Sequence, residues 1–259
     1  MKISIALIFG ILLVGCGVLL FVPITEGQKE FKDEPTVVSH GHTTAEESAY
    51  SKEYAKLYAS MATERLTDLS AADRKAHIQK GLLIGRGSTI DLGTDPPIAQ
   101  EFLRTVTCVA DAIVLGTAIT KTAHLTENEM FVYSQYSFRI KQVFKDNAKS
   151  PIDVDTQIQI TRPGGKVKVG AQVIPVEDGN FEPLKAGKEY LLFLRYIPAA
   201  TGYMIAAADG DMVIENDHID SLSNPDLRNY LGVNLPTKTF FADLSLAVAR
   251  GCVSTSGGK

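Results

Sequence analysis

At 259 residues, 45% hydrophobic and 22% charged, the chain has the composition of a globular protein and length enough for a sizeable core; no tract is biased enough for a disordered or fibrous reading. Residues 1–25 hold one basic side chain, Lys2, and no acidic one, so the remainder carries 25 basic against 30 acidic groups, a net −5 within the formal total of −4. That sign argues against bulk binding to nucleic acid or to anionic lipid.

Residues 3–22 contain no charged side chain. Twenty helical residues at 1.5 Å rise cover about 30 Å, the hydrocarbon thickness of a bilayer. Lys2 ahead of the run favours a cytoplasmic N-terminus, and Pro23 ends it. Three fates compete. An uncleaved signal anchor fits the length best, because the apolar core of a signal peptide usually runs to about 7–15 residues. Cleavage near residues 23–27 is the second, although no small-x-small site stands there. The third is lipidation at Cys16, since Leu13-Val14-Gly15-Cys16 resembles a bacterial lipobox; the five apolar residues 18–22 that follow it speak against this. All three predict a membrane-anchored or secreted protein that meets the membrane through residues 3–22 and places the rest of the chain outside the cytoplasm.

Residues 26–43 read as a polar linker ending in Ser39-His40-Gly41-His42. A helical region over 44–84 is expected next. Thr44 with Glu47 forms a capping box, Tyr50, Tyr54, Leu57, Tyr58 and Met61 recur at helical spacing, and Ser70 with Asp73 repeats the capping signal before a second helix toward Gly81. The tyrosine stripe reads as a packing face.

From Thr105 the hydrophobic period changes to 2, and a β domain is expected over 105–220. Residues 112–120 are β-rich. Over 130–144, Tyr136, Phe138, Ile140 and Phe144 share one face, with Ser137, Arg139 and Lys141 on the other. Residues 157–161 and 166–173 alternate again, with Arg162-Pro163-Gly164-Gly165 as a hairpin loop between them. Residues 189–197 are almost wholly apolar and so are expected to be covered on both sides. Two short runs, 203–207 and 212–214, flank Asp209-Gly210-Asp211. Six or seven short antiparallel strands suit a small closed or partly open barrel. The chain then closes with helices over 221–259: a short one from Asn224-Pro225, and one lined by Phe240, Phe241, Leu244 and Val248 that ends at Gly251. The fold class expected is α+β, mainly β, with an OB-like antiparallel barrel between an N-terminal helical region and C-terminal helices.

Three stretches of this β region resemble the netrin-like module, the OB-type barrel of metalloproteinase inhibitors, and its exported bacterial look-alikes. They are Ala110-Asp111-Ala112-Ile113-Val114-Leu115-Gly116, then Val143-Phe144-Lys145-Asp146, then 184–193 (LKAGKEYLLF). The resemblance covers roughly residues 108–215, rests on strand-defining residues, and therefore implies fold rather than function. It departs where those inhibitors act: no N-terminal cysteine of a mature chain precedes the barrel, and outside the apolar segment only Cys108 and Cys252 remain. Protease inhibition is carried over to no residue.

Outside the cytoplasm a Cys108–Cys252 disulfide is one expectation, and two independent free thiols the other. His40 and His42 sit in the linker without a third ligand, and Asp209, Asp211, Glu215, Asp217 and Asp220 lack EF-hand spacing, so both groups read as solvated and no metal or cofactor is expected. No nucleophile elbow appears, and GLLIGRGS lacks the Lys-Ser/Thr ending of a phosphate loop. Residues 139–168 are locally basic, with seven cations against three carboxylates. Arg139, Lys141, Arg162, Lys166 and Lys168 are thus candidates for an anion-binding face; a solvated sheet face is the plainer reading. The function expected is a non-enzymatic binding module outside the cytoplasm with a protein or glycan partner and no nucleic acid. An envelope hydrolase using scattered carboxylates and a self-associating structural protein are the alternatives.

Overall fold

The structure is a computed structural model that describes residues 36–37, 52, 70, 98–176, 182–206, 210–222 and 235–252. The apolar segment with Cys16, the pair His40 and His42, the helices expected over 44–81 (but for Lys52, which is helical, and Ser70), and the helix from Asn224 lie outside these residues. No helix among the described residues is long and apolar enough to cross a membrane. What is described is mostly β, with few helices.

Nine strands run from β2 to β10: β2 Ala112–Leu125, β3 Val132–Lys145, β4 Gln157–Pro163, β5 Gly165–Val169, β6 Gln172–Val176, β7 Glu189–Ile197, β8 Gly202–Ile205, β9 Asp211–Glu215 and β10 His218–Ser221. A two-residue β1, Thr36–Val37, and β11, Leu235–Pro236, pair at the edges. Helix α1 spans Ile98–Val109 and α2 spans Thr237–Arg250. Residues 105–109 therefore belong to a helix and not to the start of the β region. Phe102, Leu103, Val106 and Ala110 fall on one helical face and are buried there.

Two apolar layers share β7. Tyr190, Leu192 and Leu194 face a core with Val114, Phe138, Ile140 and Ile160. Leu191 and Phe193 face the opposite way, onto Phe102 and Val106 of α1 and Phe240 and Leu244 of α2. Double coverage explains why this strand lacks alternation. A disulfide joins Cys108 at the end of α1 to Cys252 just past α2, with Cα atoms 5.4 Å apart.

The pairings run β2–β3, β3–β4, β4–β8, β8–β7 and β7–β2, a circuit of five strands that returns to its start. β9, β10 and β11 extend the sheet from β7. Not every pairing is antiparallel as expected: β4–β8 and β1–β5 are parallel. The stretch 162–165 is no hairpin loop either. β4 pairs with β3 and β8, while residues 166–173 split at the turn Gly170-Ala171 into β5 and β6, which pair with each other. Gly164 and Gly165, at φ 86° and 142°, carry the chain out of β4, and a Cβ on Gly165 would stand 2.7 Å from Ser134 Oγ.

The stretches that resemble the netrin-like module are scaffolding. Asp111 Oδ2 accepts the Tyr196 N–H at 2.8 Å, pinning the start of β2 against β7. Lys145 Nζ donates to the carbonyls of Thr107 (2.9 Å) and Ala110 (2.6 Å), so β3 supplies the cation that the last turn of α1 lacks. Asp146 Oδ1 accepts from the N–H groups of Asn147 and Ile152 and shapes the loop after β3. Gly116 lies at a register shift of β2, where a Cβ would collide with the Arg139 carbonyl oxygen. Overpacking against backbone cannot relax by a rotamer change. Gly116→Ala is expected to destabilise by about 3 kcal/mol or more, seen as a lowered urea midpoint; an unchanged midpoint would mean that β3 shifts freely.

Candidate binding surface

The five cations expected on one anion-binding face are not brought together. Arg139 and Lys141 lie exposed on β3, and Lys141 Nζ sits 3.0 Å from Glu189 Oε2 on β7. Lys166 and Lys168 stand on β5, in the separate three-stranded sheet β1–β5–β6. Arg162 is 1% exposed, and its Nη2 lies 2.6 Å from Oδ2 of Asp211, which is 0% exposed. Its placement on an outer face is thus corrected. Ile158 and Ile160 point inward from β4, and Arg162, two residues on, keeps the same parity. The reading of Asp211 as part of a solvated acidic turn falls with it. Glu215, from the same acidic group, is exposed and pairs with Lys188 at 2.7 Å; that contact holds its carboxyl below the usual carboxylate range. Among the described residues no group of three or more His, Cys, Asp or Glu is placed to hold a metal ion.

Tyr136 and Tyr190 lie within electrostatic reach of the buried pair, and Tyr203 is buried elsewhere in the same core. Tyr190 Oη accepts the Lys185 N–H at 2.8 Å, and burial raises the phenols of Tyr136, Tyr190 and Tyr203 above 10.0, with Arg162 pulling the first two the other way. A phenol raised on folding must shed that constraint to ionise. Its stabilising contribution is therefore complete below the unfolded value of 10.0 and is lost as pH rises beyond it. The chain has nine tyrosines and no tryptophan. Phenolate absorbance at 295 nm is expected to rise in two phases, the later one coinciding with cooperative unfolding; a single smooth titration near pH 10 with the fold retained would contradict this.

The outer face of β2, β3 and β4 is of another kind. Cross-strand register sets twelve outward positions in four rows: Thr117–Arg139–Gln157, Thr120–Ser137–Gln159, Thr122–Gln135–Thr161 and His124–Tyr133–Pro163. A bulge at Ile119 restores the parity that puts Thr120 and Thr122 outward. Thr120, Thr122, Gln157 and Gln159 are exposed, and Ser137 Oγ donates to Gln157 Oε1 at 2.6 Å. The rings of His124 and Tyr133 stack with centroids 5.2 Å apart. At that end Tyr133 packs with Phe131 from the 126–131 loop, with Ile197 at the end of β7, with Ala200 from the 198–201 connection, and with Met204 of β8. Sequence alone marked Ser137, Arg139, Gln157 and Gln159 as outward-facing. It did not align them with the threonines of β2, because register across a bulge has no local signature.

No protein-family model matches the chain, and no curated protein matches it.

Proposed function

We propose that this protein is a non-enzymatic binding module held outside the cytoplasm through residues 3–22, and that its five-strand circuit is an OB-type barrel. In such barrels ligands lie on the face of the second and third strands, between the loops that follow the first and fourth. Counted in chain order among the five strands of the circuit, those strands are β3 and β4, and those loops are 126–131 and 198–201. The observation that carries the reading is that Phe131 and Ala200, one from each loop, pack around Tyr133 beside the hydroxyl and amide rows. The buried Arg162–Asp211 pair lies away from solvent and is assigned to the scaffold.

The test is a pull-down from the native membrane fraction with the full chain in detergent, run beside the double variant Thr120→Arg/Gln159→Arg. Both positions are exposed, so folding is expected to survive. A component retained in stoichiometric amount by the parent and lost from the variant supports the reading. Equal retention by both overturns the placement of the site on this face.

A further inference from the structure

We infer that the ligand of the β2–β3–β4 face is an uncharged, hydroxyl-rich chain, a neutral glycan; this rests on the reading of that face as the binding surface. Of its twelve outward positions only Arg139 carries a formal charge at neutral pH. Lys141, bulged at the border, is already engaged by Glu189. A face so poor in cations has little with which to hold a polyanion, whose binding grows with each cation supplied. Nor does it resemble a protein interface, whose centre is apolar and aromatic. Most of the large apolar side chains exposed among the described residues, Val109, Val154, Val173 and Leu246, stand elsewhere, and only Ile119 borders the rows. Extended peptides join sheets at strand edges. β3, the middle strand of the face, is paired on both sides.

What the face does offer is a lattice of neutral donors and acceptors. Each threonine hydroxyl donates once and accepts twice, and each glutamine amide does both. Ser137 donates to Gln157 Oε1 and so leaves the Nε2 hydrogens of that amide as donors. Five of the twelve positions, Thr120, Thr122, Arg139, Gln157 and Gln159, are exposed, whereas Ser137, Thr161 and Tyr133 are buried, so by strand spacing and rise the open part measures about 10 Å by 13 Å, room for two or three sugar units. Sugar hydroxyls, which also donate and accept, match such a lattice, and the partly exposed His124, stacked on the buried Tyr133, bounds it at one end.

The experiment titrates the full chain, in detergent micelles free of sugar headgroups, with neutral oligosaccharides of glucose, galactose and N-acetylglucosamine and with a sulfated oligosaccharide, by calorimetry at low and high salt. We expect a neutral oligosaccharide to bind, with Kd changing less than twofold between 50 and 500 mM NaCl, and the double variant Gln157→Ala/Gln159→Ala to weaken it at least tenfold with an unchanged urea midpoint. Preference for the sulfated chain with a steep salt dependence overturns the inference. So does the absence of neutral-glycan binding when the pull-down still yields a component lost from Thr120→Arg/Gln159→Arg; in that case the surface stands and the ligand class falls. Failure of both experiments removes the surface as well.

Discussion

Replacing either partner of the buried ion pair, by Arg162→Met or Asp211→Leu, is expected to lower the unfolding free energy by about 3–5 kcal/mol, because each leaves an uncompensated charge in a site with 1% exposure or less. The double replacement is expected to recover most of that loss, since two apolar side chains of similar bulk carry no desolvation cost. Urea unfolding of the two single variants, the double variant and the parent reads the coupling directly. The exposed pair Lys141–Glu189 serves as the contrast, with an expected loss of at most about 1 kcal/mol that fades with salt. Single variants that cost no more than that contrast would mean that the interior of the circuit is wet and that the pair does not organise it. The position of Asp211 explains why so much is at stake: it opens β9 and pairs in register with Leu192 of β7, so the ion pair ties β4 to the strand that both apolar layers share.

Removal of the Cys108–Cys252 disulfide carries the second large effect. The two cysteines are 144 residues apart in sequence, and in the chain-entropy account closing a loop of that length restrains the unfolded chain by about 5 kcal/mol. For a protein of this size that corresponds to a Tm lower by about 10–20 °C. Cys108→Ala/Cys252→Ala, measured by calorimetry beside the parent with and without reductant, is the check. Both cysteines are exposed, so the substitution opens no cavity, and any loss reads the tether itself. An unchanged Tm would mean that Phe240 and Leu244 hold α2 on the sheet unaided, and that the unfolded chain keeps α1 and α2 together without the bond.

Much of the fold was legible in the residues, and where it was not the reasons are specific. The alternation of Tyr136, Phe138 and Ile140 against Ser137 and Arg139 marked β3, the unbroken apolar run 189–197 marked β7 as covered on both sides, and Phe240, Leu244 and Gly251 marked α2 and its end. Arg162 was within reach: two residues past Ile160 on a period-2 strand, it had to point inward, but a cation invites an outward assignment unless its partner is known. Helix α1 was overlooked because the β-rich run from Ala112 draws the boundary back into it, although Phe102, Val106 and Ala110 keep a four-residue spacing.

Side-chain parity along an unbroken strand such as Tyr136–Ile140 and the end of α2 at Gly251 are local properties, set by the 2.0 and 3.6 residue periods, and the sequence by itself determined them. Which strand lies beside which is not local. The parallel β4–β8 pairing, the union of Arg162 with Asp211, the disulfide geometry and the alignment of β2 threonines with β3 and β4 amides were decided only in the tertiary structure. Each joins segments tens of residues apart, and their register depends on bulges, on the Gly164–Gly165 exit from β4 and on the packing of two apolar layers, none of which a single segment encodes.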